Sequence, residues 1–157
     1  MYQAKHDLRM KTSGPLNTAI GHGLVFDYFD GVRKLLEPAR EDLFFIDRYI
    51  DAEFVSRYLP HVAPGVSIRL LARDRITTLR PAVETFVQQF RSAVQIRSAA
   101  TFHDRYMIVD HRACYQSGAS FKDGAKSAPT TLTQITDAFE AVTQTYEAIW
   151  KIAKVEY

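Results

Sequence analysis

Residues 102–120 read FHDRYMIVDHRACYQSGAS, and the fold turns on this stretch. RYMIVD and RACYQS are two short runs of strand character with Asp110 and His111 at their junction, a spacing that predicts two adjacent strands joined by a tight hairpin connection. Carried back through HDR, strand alternation sets His103 and Arg105 on one face and Asp104, Tyr106, Ile108 and Asp110 on the other. The imidazole and the guanidinium then converge. Such a pair suits phosphate, because the guanidinium offers a planar fork of donors while a ring nitrogen attacks phosphorus or shuttles a proton. Asp110, facing away, reads as a structural carboxylate. The return strand leads into GASFKDG, which brings Ser120 and Lys122 back beside His103, the first as a donor to a phosphate oxygen and the second as a further cation. The plainer alternative gives His103 and Arg105 ordinary hydrogen bonds and an ion pair with Asp104 or Asp110.

Upstream, LFFID is apolar on both faces, as in a strand buried within a parallel sheet, and RYIDAEF hands it over to a helix with Phe54, Val55, Tyr58 and Leu59 on one side. Pro60, Pro64 and Gly65 close that helix, and VSIRLLA follows as a second buried strand, so the unit is βαβ and its strands are expected parallel. A helix over 77–90, with Pro81 in its first turn and Leu79, Val83, Phe86, Val87 and Phe90 inward, precedes the short strand AVQIR. Before this unit, Val25, Tyr28, Phe29, Val32, Leu35 and Leu36 recur at helical spacing up to Pro38. After the hairpin, LTQIT makes a last strand, and 138–155 forms a helix presenting Phe139, Val142, Tyr146, Ile149, Trp150 and Ala153. Residues 1–22 are a turn-rich leader or edge segment, and 23–157 form one domain. Asp47, Arg48 and Asp51 end the first parallel strand, where open α/β sheets bind ligands; Arg48 either faces that cleft as a substrate contact or simply answers Asp47 or Asp51.

With 157 residues the chain fits one domain, and a net charge of +2 gives no broad basic field, so any attraction for phosphate is local. The single cysteine, Cys114, forms no internal disulfide and sits in an apolar stretch, which fits a reducing cytoplasm. Neither a signal-peptide core nor a membrane-length apolar run is present in the sequence. His6, His22, His61 and His111 stand at no recognisable ligand spacing, so no metal site is expected, and no Gly-rich loop calls for a nucleotide cofactor.

HDRYMIVD resembles the HxKxxxxD signature of the phospholipase D superfamily, with Arg105 in place of the family's Lys, and GAS resembles the Gly-Ser element that follows it. The order of strands and helices over 24–155 is similar to that of short prokaryotic members. The resemblance implies a single-domain α/β fold with a mixed, mostly parallel sheet flanked by helices. It also implies a metal-independent phosphodiesterase, nuclease-like rather than lipid-directed. One histidine forms a phosphohistidine, a second protonates the leaving oxygen, and basic residues hold the phosphoryl oxygens. His103 and Arg105 carry those roles here, with Ser120, Lys122 and Arg48 supporting the substrate. Because the chain has one motif, the resemblance implies a homodimer with two His103 side chains facing each other near a two-fold axis. Asp47, Asp123 and Asp137 are open as the carboxylate that orients His103. Two further readings stand beside this one: a catalytically degenerate module that binds phosphate of nucleic acid, lipid or a partner, and a piece of a larger prokaryotic defence or mobile-element protein. Peripheral lipid binding stays open.

Overall fold

The computed structural model describes residues 16–157. Most of the expected leader, residues 1–15, lies outside the described residues, and Asn17–Ile20 form an edge strand, β1. Helix α1 is Val25–Leu36, with Asp27 in its first turn and Arg33 and Lys34 in its last, charges that complement the helix dipole. Strand β2 is Asp42–Ile46, and α2, Ala52–Tyr58, starts at Asp51, whose side chain accepts from the Phe54 amide. After one 3-10 turn at Leu59–His61 come β3 (Ser67–Ala72), α3 (Ile76–Phe90) and β4 (Ala93–Ser98). The hairpin strands β5 (Tyr106–Val109) and β6 (Ala113–Ser117) are followed by β7 (Thr130–Ile135), α4 (Phe139–Ile152) and β8 (Lys154–Val155).

The eight strands of the described residues form one sheet in the order β1-β7-β6-β5-β2-β3-β4-β8. The expected parallel unit is present, β2 to β3 and β3 to β4, but every other neighbouring pair is antiparallel. The sheet is therefore mixed, with its parallel pairing confined to the βαβ unit, because only that unit has helical crossovers between neighbouring strands. The apolar runs pack on both faces. Leu43, Phe45, Leu70, Ile96 and Met107 meet α1, α2 and α3 on one side, while Phe44, Ile46, Leu71, Ile108 and Cys114 meet Tyr146 and Trp150 of α4 on the other. Burial pushes the Cys114 thiol up to about 12, which leaves it inert at neutral pH. Among the described residues, no helix is long and apolar enough to cross a membrane.

Three sequence expectations need correction. Pro81 lies inside α3, past its first turn, on the exposed side where the carbonyl it leaves without a helical donor is open to water. Phe90, expected inward, is 45% exposed and stacks on Phe86 at the helix end. The final helix stops at Ile152 because Ala153 turns extended, and Lys154 and Val155 then pair antiparallel with Ser98 and Arg97, covering the outer edge of β4.

The hairpin connection explains Asp110. Asp110 and His111 both have positive φ, 52° and 57°, and the Asp110 carboxylate accepts from the backbone amides of Arg40, Glu41 and Asp42 just ahead of β2. Partial burial works against the charge, but those amides win and hold the carboxyl below its usual range. Asp110→Ala is expected to lower stability by about 2–3 kcal/mol, through the stranded amides and an alanine forced to positive φ. Since the folded pKa is depressed, this contribution is present above the unfolded carboxylate pKa and is lost as pH falls through the folded one. Urea titrations at neutral and acid pH should show the gap between wild type and variant closing on acidification.

Candidate functional site

The C-terminal ends of β2 and β3 meet the start of β5 at one edge of the sheet, and three loops converge there. β2 ends at Ile46, and the residue after it, Asp47, has a fully buried side chain. Its Oδ2 accepts from the Ser120 hydroxyl at 2.7 Å and from the Phe121 amide at 2.8 Å, and its Oδ1 accepts from the Tyr49 amide at 3.0 Å. Burial pushes the Asp47 carboxyl above its usual range, against the pull of those bonds and of the nearby Arg105 charge. Asp47 thus pins the loop after β6 to the end of β2. Ser120, expected as a phosphate donor, is buried with its hydroxyl hydrogen committed to Asp47, so it positions the loop instead.

The next residue, Arg48, is the centre of the exposed part. Its Nε donates to Asp74 Oδ2 at 3.0 Å, and its Nη1 lies 2.9 Å from His103 Nδ1. A guanidinium has no acceptor, so Nδ1 accepts in this contact and the ring hydrogen sits on Nε2. Arg48 also lies over the Tyr49 ring, 5.2 Å from its centroid. The answer to the choice left by sequence is that Arg48 pairs with neither Asp47 nor Asp51 but with Asp74. His103 is exposed. None of Asp47, Asp123 and Asp137 hydrogen-bonds its ring; the neighbour at Nδ1 is a cation.

Arg105 enters β5 on the same side as Asp47. Its Nη1 donates to the Gly118 carbonyl at 3.2 Å, and its Nε is buried without a partner among the described residues. Asp104 points to the opposite face and accepts from the Tyr146 hydroxyl, in line with the alternation expected through HDR. Lys122 is largely covered, 3.3 Å from Asp123 and 3.9 Å from Asp51, so its charge is already answered. Among the described residues, no cluster of three or more His, Cys, Asp or Glu is arranged to hold a metal ion.

Sequence reasoning passed over the support beneath Arg105. Tyr28 of α1 is fully buried and shares a 2.5 Å hydrogen bond with Ser117. Gly124 presses against its ring so closely that a Cβ would stand 2.2 Å from three ring carbons. Tyr58 donates to the Phe121 carbonyl at 2.8 Å. The glycines and small residues of 118–125 were the available signal for this close approach, although nothing in the sequence names the tyrosine.

The sequence matches no protein-family model and no curated protein. The fold does have counterparts among solved structures. The chain is similar to NucT from Helicobacter pylori, with a TM-score of 0.66 at 10% identity over 90% of this chain and 99% of that one. It is similar to Nuc from Salmonella typhimurium, a phospholipase D family member, with a TM-score of 0.62 at 15% identity over 90% and 98%. It is also similar to TrmBL2, an archaeal chromatin protein described as showing a novel mode of DNA binding, with a TM-score of 0.61 at 11% identity over 98% of this chain and 60% of that one.

Proposed function

On a fold shared with a phospholipase D family member, we propose that this protein recognises the phosphodiester of nucleic acid through His103, Arg48 and Arg105. The observation that carries this reading is the Arg48 to His103 Nδ1 contact, which leaves an N–H on Nε2 and so makes the exposed imidazole a donor beside the Arg48 guanidinium. Three convergent donor groups with two permanent charges fit an anionic oxygen cluster. DNA binding by TrmBL2, of similar fold, supports nucleic acid as the class.

Hydrolysis is the second reading, favoured by the likeness to Nuc over nearly all of that chain. In it, a homodimer sets two His103 side chains across a two-fold axis. One ring nitrogen attacks phosphorus, the partner's imidazolium protonates the departing oxygen, and water then cleaves the phosphohistidine. Attack from Nε2 requires its lone pair, so Arg48 must first leave Nδ1 and the ring hydrogen must move there. Arg105 would hold the phosphoryl oxygens in place of the lysine of the family signature. The present hydrogen bonding favours recognition over this chemistry.

Anisotropy of a labelled oligodeoxynucleotide, read in EDTA, tests both. Arg105→Ala is expected to weaken binding by about 10- to 100-fold, equivalent to about 1.4–2.8 kcal/mol, and His103→Ala by less, with a strong salt dependence in the wild type. Unchanged affinity in both variants would sink the phosphate-site reading. Strand cleavage that persists in EDTA and disappears in His103→Ala, from a species that sediments as a dimer, would replace recognition with hydrolysis.

A further inference from the structure

The loop after β3 is folded onto the loop after β2: the amides of Arg73 and Asp74 both donate to the Arg48 carbonyl, at 3.1 and 2.8 Å. Asp74 is shared by two guanidiniums, Arg48 Nε at 3.0 Å and Arg73 Nε at 3.5 Å. Arg73 Nη1 reaches on to the Ala100 carbonyl at 3.0 Å, in the loop that leads to His103. His103, Arg48, Asp74, Arg73 and the 100–103 loop therefore close a ring. Arg75, next along, is exposed and its side chain has no ion pair among the described residues.

Charge is uneven along this edge. Beyond the 118–126 loop the cations are answered, Lys122 by Asp51 and Asp123, Lys126 by Glu53 and Asp123. In the other direction Arg48 and Arg73 share one carboxylate, Asp74, Arg75 has no ion pair among the described residues, and Arg105 lies near the buried Asp47, while Asp104 points to the far side of the sheet. These arginines start or follow the neighbouring strands β5, β2 and β3, a span of about 10 Å at two strand spacings. That span exceeds one phosphate group and suits successive phosphates of a polymer.

We propose that Arg73 and Arg75 form a second phosphate subsite, so that a nucleic-acid strand leaves the His103 site across the ends of β2 and β3 and not over the 118–126 loop. The inference rests on the phosphodiester reading of the site. It makes recognition directional and length-dependent: a single phosphodiester engages only His103, Arg48 and Arg105, whereas a longer strand also reaches Arg73 and Arg75.

The test compares bis(p-nitrophenyl) phosphate, a dinucleotide and a single-stranded dodecamer on the wild type and on Arg75→Ala, Arg73→Ala, Lys126→Ala and Arg105→Ala, with circular dichroism to verify the fold of each. Arg75→Ala should weaken dodecamer binding by about 3- to 10-fold and lower the salt slope by about 1. It should leave bis(p-nitrophenyl) phosphate unaffected, and Lys126→Ala should match the wild type throughout. If Arg105→Ala weakens the dodecamer while Arg75→Ala and Arg73→Ala do not, the track is overturned and the primary site stands. If Arg105→Ala is also silent, the primary reading fails with it. Binding to phosphatidylserine vesicles with the same dependence on Arg75, and no preference for the dodecamer over the dinucleotide, would overturn nucleic acid as the occupant.

Discussion

Asp47→Ala is expected to lower the free energy of unfolding by about 3–5 kcal/mol, because it leaves the Ser120 hydroxyl and the amides of Tyr49 and Phe121 without an acceptor at the end of β2. Relief from burying a charge offsets part of this, since the carboxyl is already pushed above its usual range by burial. Asp47→Asn keeps the shape but turns an amide NH2 toward donors whichever way it is flipped, so it should fall between wild type and alanine. Chemical denaturation of the three proteins measures the ordering. The loop over 118–125 carries Ser120 and supplies the Gly118 carbonyl to Arg105, so oligonucleotide affinity should fall with stability in both variants. A fully stable Asp47→Ala would show that the loop is held by its apolar contacts alone, chiefly Phe121 against Phe45 and Phe54.

Arg69→Ala is expected to cost a similar amount, about 3–5 kcal/mol, at the opposite face of the sheet and far along it from the site. Arg69 is 8% exposed, bonds Asp42 through Nε and Nη2 at 3.3 and 2.9 Å, and bonds Glu147 of α4 through both terminal nitrogens at 2.7 Å. Its guanidinium also lies 4.1 Å from the Phe44 ring centroid. Removing it leaves Asp42 buried without its counter-charge and takes away the tie between β3 and α4. Arg69→Met together with Asp42→Leu fills the same space without stranding a carboxylate, so the double variant should recover most of the loss. Thermal and urea unfolding of the single and double variants reads this directly, and a double variant no better than Arg69→Ala would place the cost in packing and not in the unpaired charge.

The parts of the fold that repeat a local pattern were legible from sequence. Continuous apolar runs at LFFID and VSIRLLA marked the buried parallel strands, and Pro60, Pro64 and Gly65 marked where one crossover ends. The hairpin was equally plain, because Asp110 and His111 tolerate the positive φ its connection needs. His103 and Arg105 are two residues apart, so strand alternation alone predicts them on one side, with Asp104, which bonds Tyr146, on the other. The rest of the site depends on partners distant in sequence. Arg48 and His103 are 55 residues apart, Asp47 and Ser120 73, and Tyr28 and Ser117 89, and no local periodicity encodes such pairs. Ser120 therefore reads as a ligand donor when its hydroxyl is spent inward on Asp47, and the choice for Arg48 between a cleft contact and a counter-charge to Asp47 or Asp51 stays open until its bonds to His103 and Asp74 are seen. The end of α4 was misjudged for a related reason, since helical spacing does not reveal where a chain is needed to cover a sheet edge.

The strand order has a consequence for how this chain is made. β3 follows β2 closely, but the other neighbour of β2 is β5, which arrives only after two crossovers and a further strand. Until then β2 presents Leu43, Phe44, Phe45 and Ile46 along an open ladder of unpaired amides and carbonyls, a template for pairing with another chain. A nascent or truncated product ending near residue 100 would carry that exposed apolar edge, and ribosome-bound chains of that length should need a chaperone until the hairpin emerges and closes the gap.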